Sequence, residues 1–281
     1  MKAKEKYKGI CVTDLDGTLL NLEHQVSKQD LAALHRLRSE KICRVAATGR
    51  SLYSLKKVIG RDDPFDYVIF STGAGIMNWQ TEQIILARHI NAKLAEEAFK
   101  KLLKLRCDFM FHAPIPENHR FLGVTGQDLP DFERRIGLYR DYCTLWDSSR
   151  EIPREEGTQF LVVADEKEEH LYLKLINLLA PLQVIRTTSP LDHLSLWLEV
   201  FAPDVSKGSA VEYLLMLLGL TTKDLMVAGN DYNDYDMLKL CSQAYVTDNA
   251  PTALKRQFRT VADHNHSGFS QAVTQWLGSD L

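Results

Sequence analysis

Two acids, Asp14 and Asp16, stand one residue apart in the stretch ICVTDLDGTLL, directly after a run of strand-forming apolar residues. Side chains at i and i+2 of an extended chain project to the same side, and at about 4 Å in an effective dielectric near 20 their charges repel by about 4 kcal/mol. Such a pair needs a cation. A hard divalent ion meets the need, and Mg²⁺ takes one or two carboxylates while keeping water or phosphate oxygens in its remaining positions. Further candidate ligands follow another apolar run in GNDYND, where Asn230, Asp231 and Asp234 stand. Thr48, Gly49 and Arg50 of ATGR and residues 71–75, STGAG, end two more apolar runs, and Lys207 of SKG opens a helical stretch. An acidic turn explains Asp-Gly by itself. It does not explain why polar and glycine residues end every other apolar run as well.

For these residues to meet, the runs that precede them must be strands of one sheet. Short apolar runs alternate with segments of helical period, the pattern of βαβ units and a parallel sheet. Strands are expected near residues 9–14, 42–48, 67–71, 225–229 and 243–247. A helix is expected from Ser27, where SKQD offers a capping box with Asp30 and Leu31, Leu34 and Leu37 recur on one face. Another starts at Ser206, with Val211, Leu214, Leu215 and Leu218 as its buried stripe. The fold class is therefore α/β, a doubly wound, Rossmann-like parallel-sheet core assembled from residues 1–85 and 200–281. In open sheets of this kind ligands bind outside the carboxyl ends of the strands, where the strand order reverses.

Residues 86–199 change character. A helix at NAKLAEEAFKKLLKLR precedes strand-like runs at CDFMFH, TQFLVVAD, LQVIRT and LSLWLEVF, which predicts an inserted α+β domain. Residues 114–156, rich in chain breakers such as APIPENHR, carry no readable period.

Bulk properties narrow the function. A net charge of -3 over 281 residues, with 45% hydrophobic and 25% charged residues, offers no polycationic surface for nucleic acid or anionic lipid, so the expected partner is a small molecule. The five cysteines are scattered, with no CxxC pair, and read as reduced, mostly buried residues of a cytoplasmic protein. MKAKEKYKG leads into a strand rather than a signal-peptide core, and the longest apolar run, near LLMLLGL, is too short to span a bilayer. Oligomeric state is not written in the sequence.

DLDGTLL, ATGR, SKG and GNDYNDYDML, in that order, resemble the four motifs of the haloacid dehalogenase superfamily of phosphohydrolases. The insertion between the second and third resembles the C2-type cap of its Cof-like branch. The resemblance covers essentially the whole chain, including YVTDNAPTALK and SGFSQAV. It implies an Mg²⁺-dependent phosphatase acting on a small phosphorylated metabolite, a sugar phosphate by expectation. Asp14 would be the nucleophile that forms an aspartyl-phosphate, and Asp16 the general acid and then base. Lys207 with Mg²⁺ would set three positive charges against three negative ones. Thr48, Gly49 and Arg50 would receive the phosphate, Arg50 either directly or by bracing its loop. The metal would be held among Asp14, the backbone carbonyl of Asp16, Asn230, Asp231 and Asp234.

Two departures stand out against that pattern. Asn230 replaces the usual aspartate after Gly229, so the carboxylate share of the site passes to Asp231 or Asp234; Thr72 replaces an asparagine. The rival readings are a hexose phosphomutase, a receiver domain, which would be about half this length, and a catalytically weakened binding protein. Outside the motifs, His264 and His266 are expected in a surface loop, and His112, His119 and Arg120 either face a ligand or are solvated. Arg134 and Arg135 are expected on a wet helix face. The tryptophans, without basic surroundings, are expected to be packing residues.

Overall fold

The computed structural model describes residues 7–192 and 194–278. The chain begins with β1 (Gly9–Thr13), α1 (Lys28–Ser39), β2 (Ile42–Ala47), α2 (Leu52–Leu55), β3 (Tyr67–Phe70), β4 (Gly75–Asn78) and β5 (Gln83–Ala87). Its middle carries α3 (Ala92–Leu105), β6 (Asp108–His112), β7 (Phe121–Val124), α4 (Pro130–Leu138), β8 (Cys143–Leu145), β9 (Gln159–Ala164), α5 (Glu169–Leu179), β10 (Gln183–Thr188) and β11 (Leu196–Phe201). It closes with α6 (Lys207–Leu218), β12 (Leu225–Gly229), α7 (Tyr235–Leu238), β13 (Ala244–Thr247), α8 (Thr252–Lys255), β14 (Arg259–Val261) and α9 (Gly268–Leu277).

These elements form two compact units. One holds residues 7–50, Leu55–Leu86 and residues 206–278; the other holds Ser51–Ser54 and Ala87–Val205. The boundary after β11 falls at Val205 rather than 199, because β11 keeps its antiparallel pairing with β9 and β10 over its whole length.

In the first unit an eight-stranded sheet runs in the order β14-β13-β12-β1-β2-β3-β4-β5. The strands from β14 to β3 are parallel and β4 is antiparallel to β3. Strand order leaves β1 in two directions, toward β2 and β3 on one side and toward β12 and β13 on the other. The order therefore reverses between β1 and β12, where such sheets bind ligands. Every residue of β1, β2 and β12 is buried, which is why these strands read as apolar runs rather than as alternations. One face packs Val12, Val45, Ile69 and Val227 against Val211, Leu214, Leu215 and Leu218 of α6.

Asp30 ties α1 to α9. Its backbone N–H donates to the Ser27 hydroxyl at 3.0 Å, and its buried carboxylate accepts the N–H of Ser270 in the first turn of α9 at 2.8 Å. β4, β5 and β14 were not legible in the sequence. They are short, and β5 and β14 are the two edges of the sheet, β5 with its Ile84, Ile85 and Leu86 only half-buried and β14 mostly exposed.

The second unit is a six-stranded sheet in the order β10-β11-β9-β6-β7-β8, antiparallel except for β7 with β8. Alternation along β6 sends Phe109 and Phe111 to Phe99 of α3 and Met110 to the cluster of Phe121, Phe132, Leu161, Val163 and Trp197 that α4 covers. β7, α4 and β8 all lie in the stretch without readable period. A residue from outside that stretch organises the entry to α4. The buried Asp108 carboxylate accepts the backbone N–H groups of Gly126 at 2.6 Å, Gln127 at 2.9 Å, Asp128 at 3.3 Å and Leu129 at 2.7 Å.

Among the described residues no helix is long and apolar enough to cross a membrane. Replacing Asp108 by Ala strands four backbone donors, and hydrogen bonds to a charged acceptor contribute about 1.5–3 kcal/mol each. Asp108→Ala is therefore expected to cost at least about 3 kcal/mol in urea unfolding.

Candidate active site

The turn after β1 builds the site from the middle of the sheet outward. Asp14 still donates its N–H to the Ala228 carbonyl of β12 at 2.9 Å, so the sheet holds it in place. The chain then reverses at Gly17, whose φ is +79°; a Cβ there would come within 2.4 Å of the Asn230 side-chain nitrogen, so glycine is required on both counts. The Gly17 carbonyl is clasped by Thr247 Oγ1 at 3.1 Å and Asn249 Nδ2 at 2.9 Å. Both residues belong to the stretch YVTDNAP, whose task is to hold this turn.

Lys207 reaches the site because of how α6 begins. Ser206 and Ser209 form a reciprocal capping box, and the turn after β3 lies directly against it: a Cβ on Gly73, φ +99°, would stand 2.1 Å from the Ser206 carbonyl oxygen. Ser71 and Thr72 in that turn are left-handed, at φ +50° and +54°. A β-branched residue there is strained by about 1–3 kcal/mol, which the surrounding structure must offset. So Thr72, in place of the asparagine of the resembling motif, is a residue of the turn that seats α6.

Lys207 Nζ donates to Asp14 Oδ1 at 2.7 Å and to Asp234 Oδ1 at 2.6 Å, with no exposed surface on its side chain. Burial works against its charge, but the two carboxylates outweigh burial and hold the ammonium above its ordinary range. For Asp14 burial dominates and raises the carboxyl; the charges of Asp234 and Asp16 add to this, while Lys207 pulls the other way. Two negative charges thus share one positive.

Asp16 is neutralised separately. Arg50 Nε donates to its Oδ2 at 2.7 Å and Arg50 Nη2 to its Oδ1 at 2.6 Å, while His24 Nδ1 stands 3.8 Å from Oδ1. Arg50 is expected on sequence grounds to meet phosphate or brace its loop; the structure gives it a third task, holding Asp16. Thr48 is buried, its hydroxyl oxygen accepting the Arg50 N–H at 3.1 Å and so keeping its own hydrogen to donate. Gly49 links the two. His24, in the loop between Asp16 and α1, carried no signal in the sequence.

The candidate metal ligands divide. Asp234 is fully engaged, Oδ1 by Lys207 and Oδ2 by the backbone N–H groups of Asn230 at 2.8 Å and Asp231 at 3.1 Å. Asp231 caps the following turn, accepting the Tyr232 N–H at 2.8 Å. Asp234 meets Asp14 across the shared Lys207 ammonium, and Asn230 stands directly beside Asp14: one end of its amide lies 3.2 Å from Asp14 Oδ2, 3.1 Å from the Asp16 carbonyl oxygen and 3.1 Å from Thr18 Oγ1. Adjacent oxygens around an octahedral ion bound at about 2.1 Å lie about 3.0 Å apart, so Asp14, the Asp16 carbonyl and Asn230 suit Mg²⁺ in donor type and in spacing. Two of the three donors are not acid side chains, and among the described residues no cluster of three His, Cys, Asp or Glu side chains suits a metal.

Other candidates lie elsewhere. In the second unit His112 is buried, with Nδ1 donating to the Asn118 carbonyl at 2.8 Å; burial first, and the nearby Arg135 charge second, push it down to about 3. Arg135 is not on a wet face: its guanidinium lies 5.0 Å from the Tyr139 ring centroid and 4.8 Å from that of Trp197, so this tryptophan does have a basic neighbour. Arg134 and Arg120 are exposed, and His119 stacks on Tyr53 at 4.5 Å. In the first unit His266 pairs with Asp263 at 2.8 Å in an exposed turn, away from any third ligand.

Lys207→Met would leave Asp14 and Asp234 buried without their cation, and it is expected to lower stability at pH 7 by about 3–5 kcal/mol in denaturant unfolding. His112 remains neutral when folded but takes up a proton near pH 6.5 when unfolded, so its contribution is complete above pH 6.5 and declines as pH falls toward about 3. Stability measured from pH 7 to 4 is therefore expected to fall less steeply in His112→Gln than in the wild type.

Comparison with known proteins places this geometry. The chain is 27% identical over 268 residues to the HMP-PP phosphatase of Klebsiella pneumoniae (strain 342), with 94% of each chain covered. Its fold is shared with BT1666 of Bacteroides thetaiotaomicron, a phosphatase of the haloalkanoate (HAD) enzyme superfamily, at a TM-score of 0.76 and 22% identity over 96% of both chains. It is also shared with the HAD subclass IIB sugar phosphatase BT4131, at a TM-score of 0.75 and 19% identity, covering 95% of this chain and 98% of the other. The haloacid dehalogenase-like hydrolase profile matches residues 11–273, and the chain, with its acids at the reversal of an α/β sheet, belongs to that family.

Proposed function

We propose that this protein is an Mg²⁺-dependent phosphatase that transfers the phosphoryl group of a small phosphomonoester to Asp14 and then to water. The observation that carries the reading is the buried Asp14, set at the reversal of the sheet and bonded to a buried lysine that reaches it from another part of the chain. The name of the Klebsiella relative supports the reaction, and the sugar-phosphate class rests on the family resemblance.

In the first step an Asp14 oxygen forms a bond to phosphorus, the bond from phosphorus to the leaving alcohol breaks, and the alcohol oxygen takes a proton from Asp16. In the second, Asp16 accepts a proton from water, whose oxygen bonds to phosphorus and frees the Asp14 carboxylate and inorganic phosphate. The bidentate pair with Arg50 describes the ionised form of Asp16, because an oxygen accepting from a guanidinium has no proton at that position. Arg50 must therefore loosen before the first proton transfer, and it holds the base in place for the second.

Thr48 donates its hydroxyl to a phosphoryl oxygen, and Lys207 restrains the charge of Asp14 as the substrate anion approaches. Mg²⁺, held by Asp14, the Asp16 carbonyl and Asn230, would supply positive charge against both anions when bound.

Purified protein with Mg²⁺ is expected to release inorganic phosphate from a panel of sugar phosphates and other phosphomonoesters, and to stop when EDTA is added. Asp14→Asn should abolish both turnover and the labelled phosphoenzyme, whereas Asp16→Asn should lower kcat by about 10²–10⁴. Isomer interconversion without phosphate release would make the protein a mutase instead. Full activity in Asp14→Asn would refute the covalent route.

A further inference from the structure

Asn230 differs from a carboxylate in more than charge. The two ends of its amide are equal in size and opposite in hydrogen-bond character, so turning it over exchanges an acceptor for a donor without moving a neighbour. With the oxygen at the inner position, it accepts from Thr18 Oγ1 at 3.1 Å and confronts two further oxygens, Asp14 Oδ2 at 3.2 Å and the Asp16 carbonyl at 3.1 Å. Those two contacts are repulsive unless a cation lies among the three oxygens. With the NH₂ group at the inner position, the same separations become donor contacts to Asp14 Oδ2, the Asp16 carbonyl and Thr18 Oγ1. An aspartate at residue 230 has only the first of these states.

We propose that Asn230 is an alternating ligand of the site. In the metal-free protein its NH₂ group bridges Asp14 Oδ2 and the Asp16 carbonyl in place of a cation; a bound divalent cation turns the amide over and meets its oxygen. The inference rests on the Mg²⁺ reading of the site and adds to it a reason for the asparagine. Asp14 and Asp234 against Lys207 leave one net negative charge. A carboxylate at 230 would add another beside Asp14, binding the cation more tightly but leaving the empty site self-repelling. Asparagine gives up affinity and keeps a metal-free site that satisfies its own hydrogen bonds.

The test compares wild type with Asn230→Asp by thermal unfolding in EDTA and in Mg²⁺, and by calorimetric titration with Mg²⁺ alone. Asn230→Asp is expected to melt at lower temperature than wild type in EDTA, to show a larger rise in Tm with Mg²⁺, and to bind Mg²⁺ about tenfold more tightly. In wild-type protein labelled with ¹⁵N in its asparagine side chains, one NH₂ pair is expected to be protected from exchange in EDTA and to lose that protection when Mg²⁺ is added. That spectrum decides the matter even where Asn230→Asp does not fold, with Asn230→Ser used to assign the pair.

Equal Mg²⁺ affinity and equal stability in EDTA for the two proteins would overturn the proposal. So would a set of NH₂ signals indifferent to Mg²⁺, including the case in which the wild type binds no Mg²⁺. Phosphate release from a wild type showing neither effect would sink the alternation and leave the phosphatase reading standing; both effects without phosphate release from any substrate would do the reverse.

Discussion

One buried ammonium group organises the centre of this protein. Lys207 lies 193 residues from Asp14 and 27 from Asp234, yet it bonds both with no exposed surface. Removing three charged groups from water is costly, and their attraction compensates only when the geometry is good and every remaining polar atom is satisfied. The neighbourhood meets those terms. The other Asp234 oxygen takes two backbone N–H groups, α6 is capped in front of Lys207, and the left-handed turn after β3 presses against that cap. The strain at Thr72 and the glycines at 17 and 73 are best understood as consequences of bringing these chain segments to one point.

That arrangement sets two carboxylates against one ammonium, and the proposed chemistry follows from where they sit. Asp14 is nearly closed off from solvent, whereas the Asp16 side chain is 33% exposed and pairs with a different cation. Two acids adjacent in sequence thus occupy different electrostatic environments. A carboxylate held immobile in a dry site suits attack on phosphorus, and one at the edge of solvent suits proton exchange with a leaving group and water. The division arises where the chain leaves β1: Asp14, the first residue after the strand, still donates its N–H to the Ala228 carbonyl of β12, and Asp16 belongs to the turn that follows.

Legibility in the sequence tracked the range of the interactions concerned. β1, β2, β3, β12 and β13, and the helices capped by Ser27 and Ser206, were readable because burial on both faces writes an apolar run and a cap writes a local motif. β7, α4 and β8 were not, because the loop entering α4 is ordered by Asp108, a residue outside that stretch whose role lies in four backbone hydrogen bonds. Arg135 misled for a related reason. A charge in a helical period looks solvent-facing until Tyr139 and Trp197, the latter on a distant strand, close over it.

The sequence by itself determined the class of fold, the family, and the set of residues from which a phosphoryl-transfer site would be drawn, since residue type and order along the chain are local information. Pairing was decided only in the tertiary structure: Lys207 with Asp14 and Asp234, Arg50 with Asp16, and Asn230 with Asp14 and the Asp16 carbonyl. Each of these depends on which atoms of distant segments come within about 3 Å, and hydrogen bonds and ion pairs distinguish partners only at that range.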